Sequence, residues 1–200
     1  MADAPKTLLQ MAGAPPDPAP LAEATLLIID AQNEYRTGAL PLAGVDAAVA
    51  EIATLLQRAR AVGAPVVHVQ HRGKPGGAFD LDAERGHIMR EAAPECAEPV
   101  VTKPLPNAFA DTDLAEKLAA TGRKQLIIAG FMTHMCVSST ARAALDHGYR
   151  VTIPAAACAT RDLPAPDGGV MKATDIHRYA LAELSDRFAI IAKDSAAVPD

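Results

Sequence analysis

Leu126-Ile127-Ile128-Ala129-Gly130-Phe131-Met132-Thr133-His134-Met135-Cys136 is the stretch on which the reading of this chain turns. Its first four residues are a short, unbroken apolar run, the pattern of a strand buried on both faces. The residues that follow, Val137-Ser138-Ser139-Thr140-Ala141-Arg142-Ala143-Ala144-Leu145, read as a helix. Cys136 therefore sits where a strand turns into a helix. Aligned N–H groups at a helix start carry partial positive charge, which favours a thiolate over a thiol. Two other apolar runs end on ionisable residues: Leu26-Leu27-Ile28-Ile29 on Asp30, and Pro99-Val100-Val101-Thr102 on Lys103.

Working outward, strand-like and helix-like patterns alternate. Strands are expected over 25–30, 65–69, 100–103, 125–129, 149–154 and 188–191. Helices are expected over 45–62, closed by Gly63, from a cap at Asp111 to Gly122, over 134–147 and over 174–184. Continuous apolar strands separated by helices need right-handed crossovers and cover on both faces. The expected fold is α/β: a three-layer α-β-α, doubly wound, parallel sheet of about six strands. In such sheets ligands bind beyond the carboxyl ends of the strands, where Asp30, Lys103 and Cys136 fall. Residues 1–23, rich in Ala and Pro, form an N-terminal arm expected to lie outside the regular fold and on a neighbouring subunit. Residues 24–200 form the single domain. The segments 72–95 and 160–172 are long Gly- and Pro-bearing loops at the same rim.

Composition narrows the function classes. The net charge of −5, with basic residues scattered rather than clustered, argues against a nucleic-acid surface. No run approaches the ~18 apolar residues of a membrane span. Cys96, Cys136 and Cys158 are far apart and form no CxxC pair, so the expectation is a reduced, cytoplasmic chain without a secretory signal. Cys158 reads as core packing and Cys96 as incidental. His68 and His71, three apart on a strand, point to different faces, which argues against a metal there.

An acid, a cation and a thiol at three strand ends are the parts of an activated nucleophile. A thiol with its ordinary pKa of about 8.5 is only a few per cent ionised at neutral pH and needs such help. Asp30 is placed to take the thiol proton and Lys103 to stabilise the thiolate. The bland alternatives are a buried hydrophobic Cys136, an Asp30 that caps a turn and a solvated Lys103. Each is credible alone, but less so with all three residues at matching strand ends.

Asp30-Ala31-Gln32-Asn33-Glu34-Tyr35, Lys103-Pro104-Leu105-Pro106-Asn107-Ala108-Phe109 and Gly130-Phe131-Met132-Thr133-His134-Met135-Cys136-Val137 together resemble the isochorismatase-like cysteine hydrolases. The resemblance runs from about residue 24 to 192. It implies an Asp30–Lys103–Cys136 catalytic triad, a cis peptide between Phe131 and Met132, and an oxyanion hole from the N–H groups of Met132 and Cys136. It also implies a homodimer or higher homo-oligomer acting on a small molecule, with no cofactor. His68-Val69-Gln70-His71-Arg72 departs from the Asp-x-His segment of metal-binding nicotinamidases, so no metal is expected. Cys136 favours C–N bond hydrolysis over vinyl-ether cleavage of the isochorismatase type, which stays the alternative. A non-turnover binding or redox-sensing protein is the alternative of another class. Gln32, Tyr35, Asn107, Phe109 and His134 are the candidate substrate-binding residues.

Overall fold

The computed structural model describes residues 4–95 and 97–200; Cys96 lies outside the described residues. The strands are β1 Ala24–Ile29, β2 Val66–His71, β3 Val100–Lys103, β4 Gln125–Phe131, β5 Arg150–Pro154, β6 Cys158–Ala159, β7 Leu163–Pro164, β8 Val170–Met171 and β9 Ala189–Ala192. The α-helices are α1 Leu8–Met11, α2 Glu34–Thr37, α3 Val45–Ala61, α4 Leu114–Ala120, α5 Ser138–Asp146 and α6 Ala173–Arg187. All pairings in the main sheet are parallel, in the order β3-β2-β1-β4-β5-β9, with β6 added beside the end of β4. The chain winds outward in both directions from β1 and β4, so their carboxyl ends flank the switch point where such sheets bind ligands.

The continuous apolar strands exist because each serves two cores. Leu26 and Ile28 of β1, with Ile127 and Ala129 of β4, pack against α3. The alternate residues Leu27, Ile29, Leu126 and Ile128 pack with residues of α4, α5 and α6. The two central strands meet very tightly. Gly130 has φ 124°, and a Cβ there would lie 2.0 Å from the Ile29 carbonyl oxygen, so only glycine fits. That contact sets the distance between the Asp30 turn and the turn after β4.

Three expectations are corrected. The fourth helix begins at Leu114 rather than at an Asp111 cap, because Asp111 has φ 55° and Thr112 Oγ1 accepts the Leu114 N–H instead. The helix expected over 134–147 is split into a π-helical turn, Thr133–Val137, followed by α5. The N-terminal arm lies on its own chain: Leu8 N–H donates to Asp186, Arg150 donates to the Pro15 and Asp17 carbonyls, and the Ala19 N–H donates to Thr152 Oγ1. Among the described residues, no helix is long and apolar enough to cross a membrane.

On the α3 side, Glu98 joins Arg60 at 2.8 Å and His68 Nε2 at 2.9 Å. Burial alone would raise the Glu98 carboxyl, but hydrogen bonds from Arg60, the Glu95 N–H and His68 outweigh it and bring it down to about 2. His68 and His71 thus serve different partners, the first this outer network and the second the candidate site.

Candidate active site

Three strand ends deliver the chemistry. Asp30 follows β1, Lys103 closes β3, and Cys136 lies in the π turn after β4. Asp30 has φ 50°, which turns it out of the strand; its N–H still bonds the Val69 carbonyl, and its own carbonyl accepts the Gln32 N–H. Lys103 Nζ lies 2.7 Å from Asp30 Oδ2 and donates to Cys136 Sγ at 3.3 Å. Asp30 and Lys103 are fully buried, and Cys136 is 6% exposed. Lys103 and Asp30 Oδ2 form a buried ion pair, and Oδ1 has no hydrogen-bond partner of good geometry among the described residues. A buried carboxylate oxygen left without a donor is a vacant proton-accepting position.

The electrostatics differ from the sequence expectation of a preformed thiolate. Burial, with the Asp30 charge second, pushes the Cys136 thiol up to about 12 against the pull of Lys103. Cys136 sits inside a π turn, without the α-helical N-terminus on which the thiolate argument rested. Burial also raises the Asp30 carboxyl, opposed by Lys103. A raised carboxyl is a stronger base, so the site holds a neutral thiol beside a base rather than a ready thiolate. Alkylation of Cys136 by iodoacetamide should therefore show no inflection at or below the ordinary thiol range, its rate climbing as pH rises towards about 12. A mass-resolved pH–rate profile with an inflection below pH 8 would overturn this.

The peptide between Phe131 and Met132 is cis. Tyr35 is 2% exposed and packs edge-on against Phe79 at 5.0 Å and Phe131 at 5.8 Å. Its hydroxyl is pushed up by burial and then by the Asp30 charge. His134 Nδ1 is 2.6 Å from Thr160 Oγ1; burial and then Arg161 lower its pKa. Tyr35 follows Asp30 in α2, and His134 precedes Cys136 in the π turn.

Gln32, Asn107 and Phe109 are engaged elsewhere. The Gln32 amide is consumed by backbone: Nε2 donates to the His71 carbonyl at 3.0 Å and the Gly86 carbonyl at 2.7 Å, and Oε1 accepts the His71 N–H at 2.8 Å. It ties the end of β2 to the 72–95 segment, behind the triad. Substituting Gln32 with Leu should orphan these buried groups, costing about 3 kcal/mol and lowering Tm by roughly 6–12 °C; an unchanged Tm would refute that role. Asn107 Oδ1 accepts the Phe109 N–H within its own loop. The Phe109 ring stacks on His147 at 4.4 Å, beyond the end of α5 remote from Cys136. The loop's docking explains it: the Ala108 N–H donates to Thr140 Oγ1, which draws the segment along α5.

Two residues escaped the sequence reading. His71 Nδ1 is 3.3 Å from Lys103 Nζ. Burial, with the Lys103 charge second, lowers its imidazole to about 4, so it is neutral near pH 7. Arg161 follows the β6 strand at the same rim; its Nε is buried without a partner among the described residues, and its charge acts on Tyr35 and His134. An open cleft of about 450 Å³ lies beside it, lined by residues 39–43, Arg161 and Asp162. The signal available was position alone, since His71 closes β2 and Arg161 comes just after β6. Cys158 is 5% exposed, and burial pushes its thiol up to about 12, consistent with packing.

With this geometry in hand, comparison with known proteins is direct. Residues 24–194 match the Isochorismatase domain family. The chain is similar to a secreted isochorismatase effector of Verticillium dahliae, 40% identical over 89% of this chain and 92% of that one. It is 38% identical to a streptothricin hydrolase of Streptomyces noursei, covering 87% of this chain and 69% of that one. It is 35% identical to a maleamate amidohydrolase of Pseudomonas putida, covering 64% and 68%. Among solved structures, an isochorismatase from Pseudomonas putida KT2440 superposes with a TM-score of 0.93 at 45% identity, covering 98% of this chain and 100% of that one. A mostly parallel sheet flanked by helices, the domain match and these relatives agree: the chain belongs to the isochorismatase family of hydrolases.

Proposed function

We propose that the protein is a cysteine hydrolase that cleaves a C–N bond of a small amide, ureide or lactam through a thioester on Cys136. The observation that carries this reading is one buried ammonium, Lys103 Nζ, set between the Asp30 carboxylate at 2.7 Å and the Cys136 sulfur at 3.3 Å. Either charge buried alone would be costly, so the pair sustains itself while facing the sulfur.

Attack begins with the neutral thiol. The Sγ–carbon bond forms as the thiol proton passes to Asp30, and Lys103 stabilises the charge that develops on sulfur. The N–H groups of Met132 and Cys136 are the proposed donors to the oxyanion. Asp30 then gives its proton to the leaving nitrogen as the C–N bond breaks. Water attacks the thioester carbon, Asp30 takes the proton from that water, and the same proton returns to sulfur as the C–S bond breaks. Thiol and carboxylate end as they began.

Tyr35 and His134 supply an apolar wall with a polar edge. Arg161 adds a cation with an unused donor, which favours an acyl group bearing a carboxylate or another acceptor. The relative named a maleamate amidohydrolase supports an amide over a vinyl ether. The test is intact-mass trapping with paired amides, ureides and lactams, each with and without a carboxylate. The expected result is an acyl adduct mapped to Cys136. Turnover with no adduct on Cys136, even after rapid acid quench, would refute the thioester route.

A further inference from the structure

The proposed mechanism leaves His71 without a role, although it touches the triad. β2 and β3 pair in parallel with His71 opposite Lys103, and the two side chains lie on the same face of the sheet. His71 Nδ1 stands 3.3 Å from Lys103 Nζ. An ammonium only donates, so the Nδ1 facing it accepts, and the imidazole proton sits on Nε2. Lys103 is fully buried and has three N–H groups to place. Its neighbours are Asp30 Oδ2 at 2.7 Å, Cys136 Sγ at 3.3 Å and His71 Nδ1 at 3.3 Å. Three acceptors thus surround the one ammonium, and of the three only the imidazole is outside the reacting set.

The support behind His71 is unusually complete. Gln32 holds both backbone polar groups of His71, its N–H at 2.8 Å and its carbonyl at 3.0 Å. Phe79 packs edge-on against the imidazole at 5.1 Å, which fixes the ring plane. Backbone and ring are thus both immobilised, and the acceptor is aimed at one nitrogen.

We propose that His71 is a positioning residue: as a neutral hydrogen-bond acceptor it holds one N–H of Lys103, keeping the ammonium directed at Cys136. Without that acceptor a buried ammonium keeps an unsatisfied donor and is driven to reorient. The sulfur then loses the cation that favours its ionised form.

This rests on the reading of Lys103 as the partner of the sulfur, and the test is chosen to separate the two. Iodoacetamide alkylation of Cys136, followed by intact mass across pH, needs no substrate. His71→Phe keeps the ring and the contact with Phe79 but removes the acceptor; His71→Asn restores an acceptor near the Nδ1 position. The expected result is an alkylation rate for His71→Phe lower by about tenfold, the lower end for one hydrogen bond to an ion, with its pH profile displaced upward. His71→Asn should stay within about threefold of the parent, on the same scale. Thermal unfolding of each variant checks that the fold persists. Lys103→Met should be as slow as His71→Phe or slower. If Lys103→Met is slow while His71→Phe matches the parent, or if Phe and Asn variants are equally slow, the role given to His71 is wrong. If Lys103→Met is no slower than the parent, both readings fall.

Discussion

Cys136→Ala should abolish turnover, lowering kcat by about 10⁴-fold or more, while the protein stays folded. Among the described residues the proposed nucleophile has no substitute, because Cys158 is buried as packing and lies on β6 rather than in the turn after β4. The structural cost of the substitution is modest. Cys136 is 6% exposed and packs in an apolar cluster, but its sulfur also accepts from the buried Lys103, so its loss costs about 1–3 kcal/mol. Steady-state kinetics on whichever substrate acylates the parent, with a thermal melt alongside, makes the measurement. A variant that keeps a tenth of parental activity would remove the thioester from the mechanism. It would favour vinyl-ether hydrolysis, in which sulfur has no necessary part.

Asp30→Asn should be the second severe lesion, and for two separable reasons. The first is chemical: the proton acceptor for thiol and water is gone, and rates should fall by about 10²–10⁴-fold. The second is structural: Asp30 and Lys103 are both fully buried at 2.7 Å, so an amide in place of the carboxylate strands an ammonium in a dry site. Breaking such a pair costs about 3–5 kcal/mol. pH distinguishes the two. The base must be ionised to act, and burial raises its pKa. The parental rate should therefore rise with pH through an acid limb above the ordinary aspartate range, and that limb should vanish in the variant. Persistence of the same limb in Asp30→Asn would assign it to another group and displace Asp30 as the base. Pairing with Lys103→Met then tests the structural part: removing both charges should recover stability but not activity.

Much of the frame was legible because its signal is physical and local. The central strands β1 and β4 were marked by continuous apolar runs, as the two cores demand of residues such as Leu26 and Leu27. Asp30, Lys103 and Cys136 could be read as three ionisable residues at strand ends. Short elements were not legible: two-residue pairings such as Cys158–Ala159 and the Leu163–Pro164/Val170–Met171 hairpin carry no periodicity. Nor was the π turn, whose residues match an α-helix in composition. The errors in the pocket share one cause. Nearness in sequence to the triad placed Gln32 and Phe109 beside the substrate, yet the first is spent on backbone and the second is drawn away along α5. His71 and Arg161 reach the rim from strands whose register a single sequence does not reveal.

The resting place of the amino-terminal arm also limits how this chain can be shortened. β9 ends the row of strands, and a row's last strand offers open backbone groups to any extended chain. The arm shares a cleft with this margin, where Leu9, Ala14 and Pro15 face Ala189 and Ile190. Proline cannot extend a ladder, so the arm shields that border without adding another strand to it. Deleting residues 1–19 would uncover the border, and light scattering should then show concentration-dependent aggregation that the full-length protein resists.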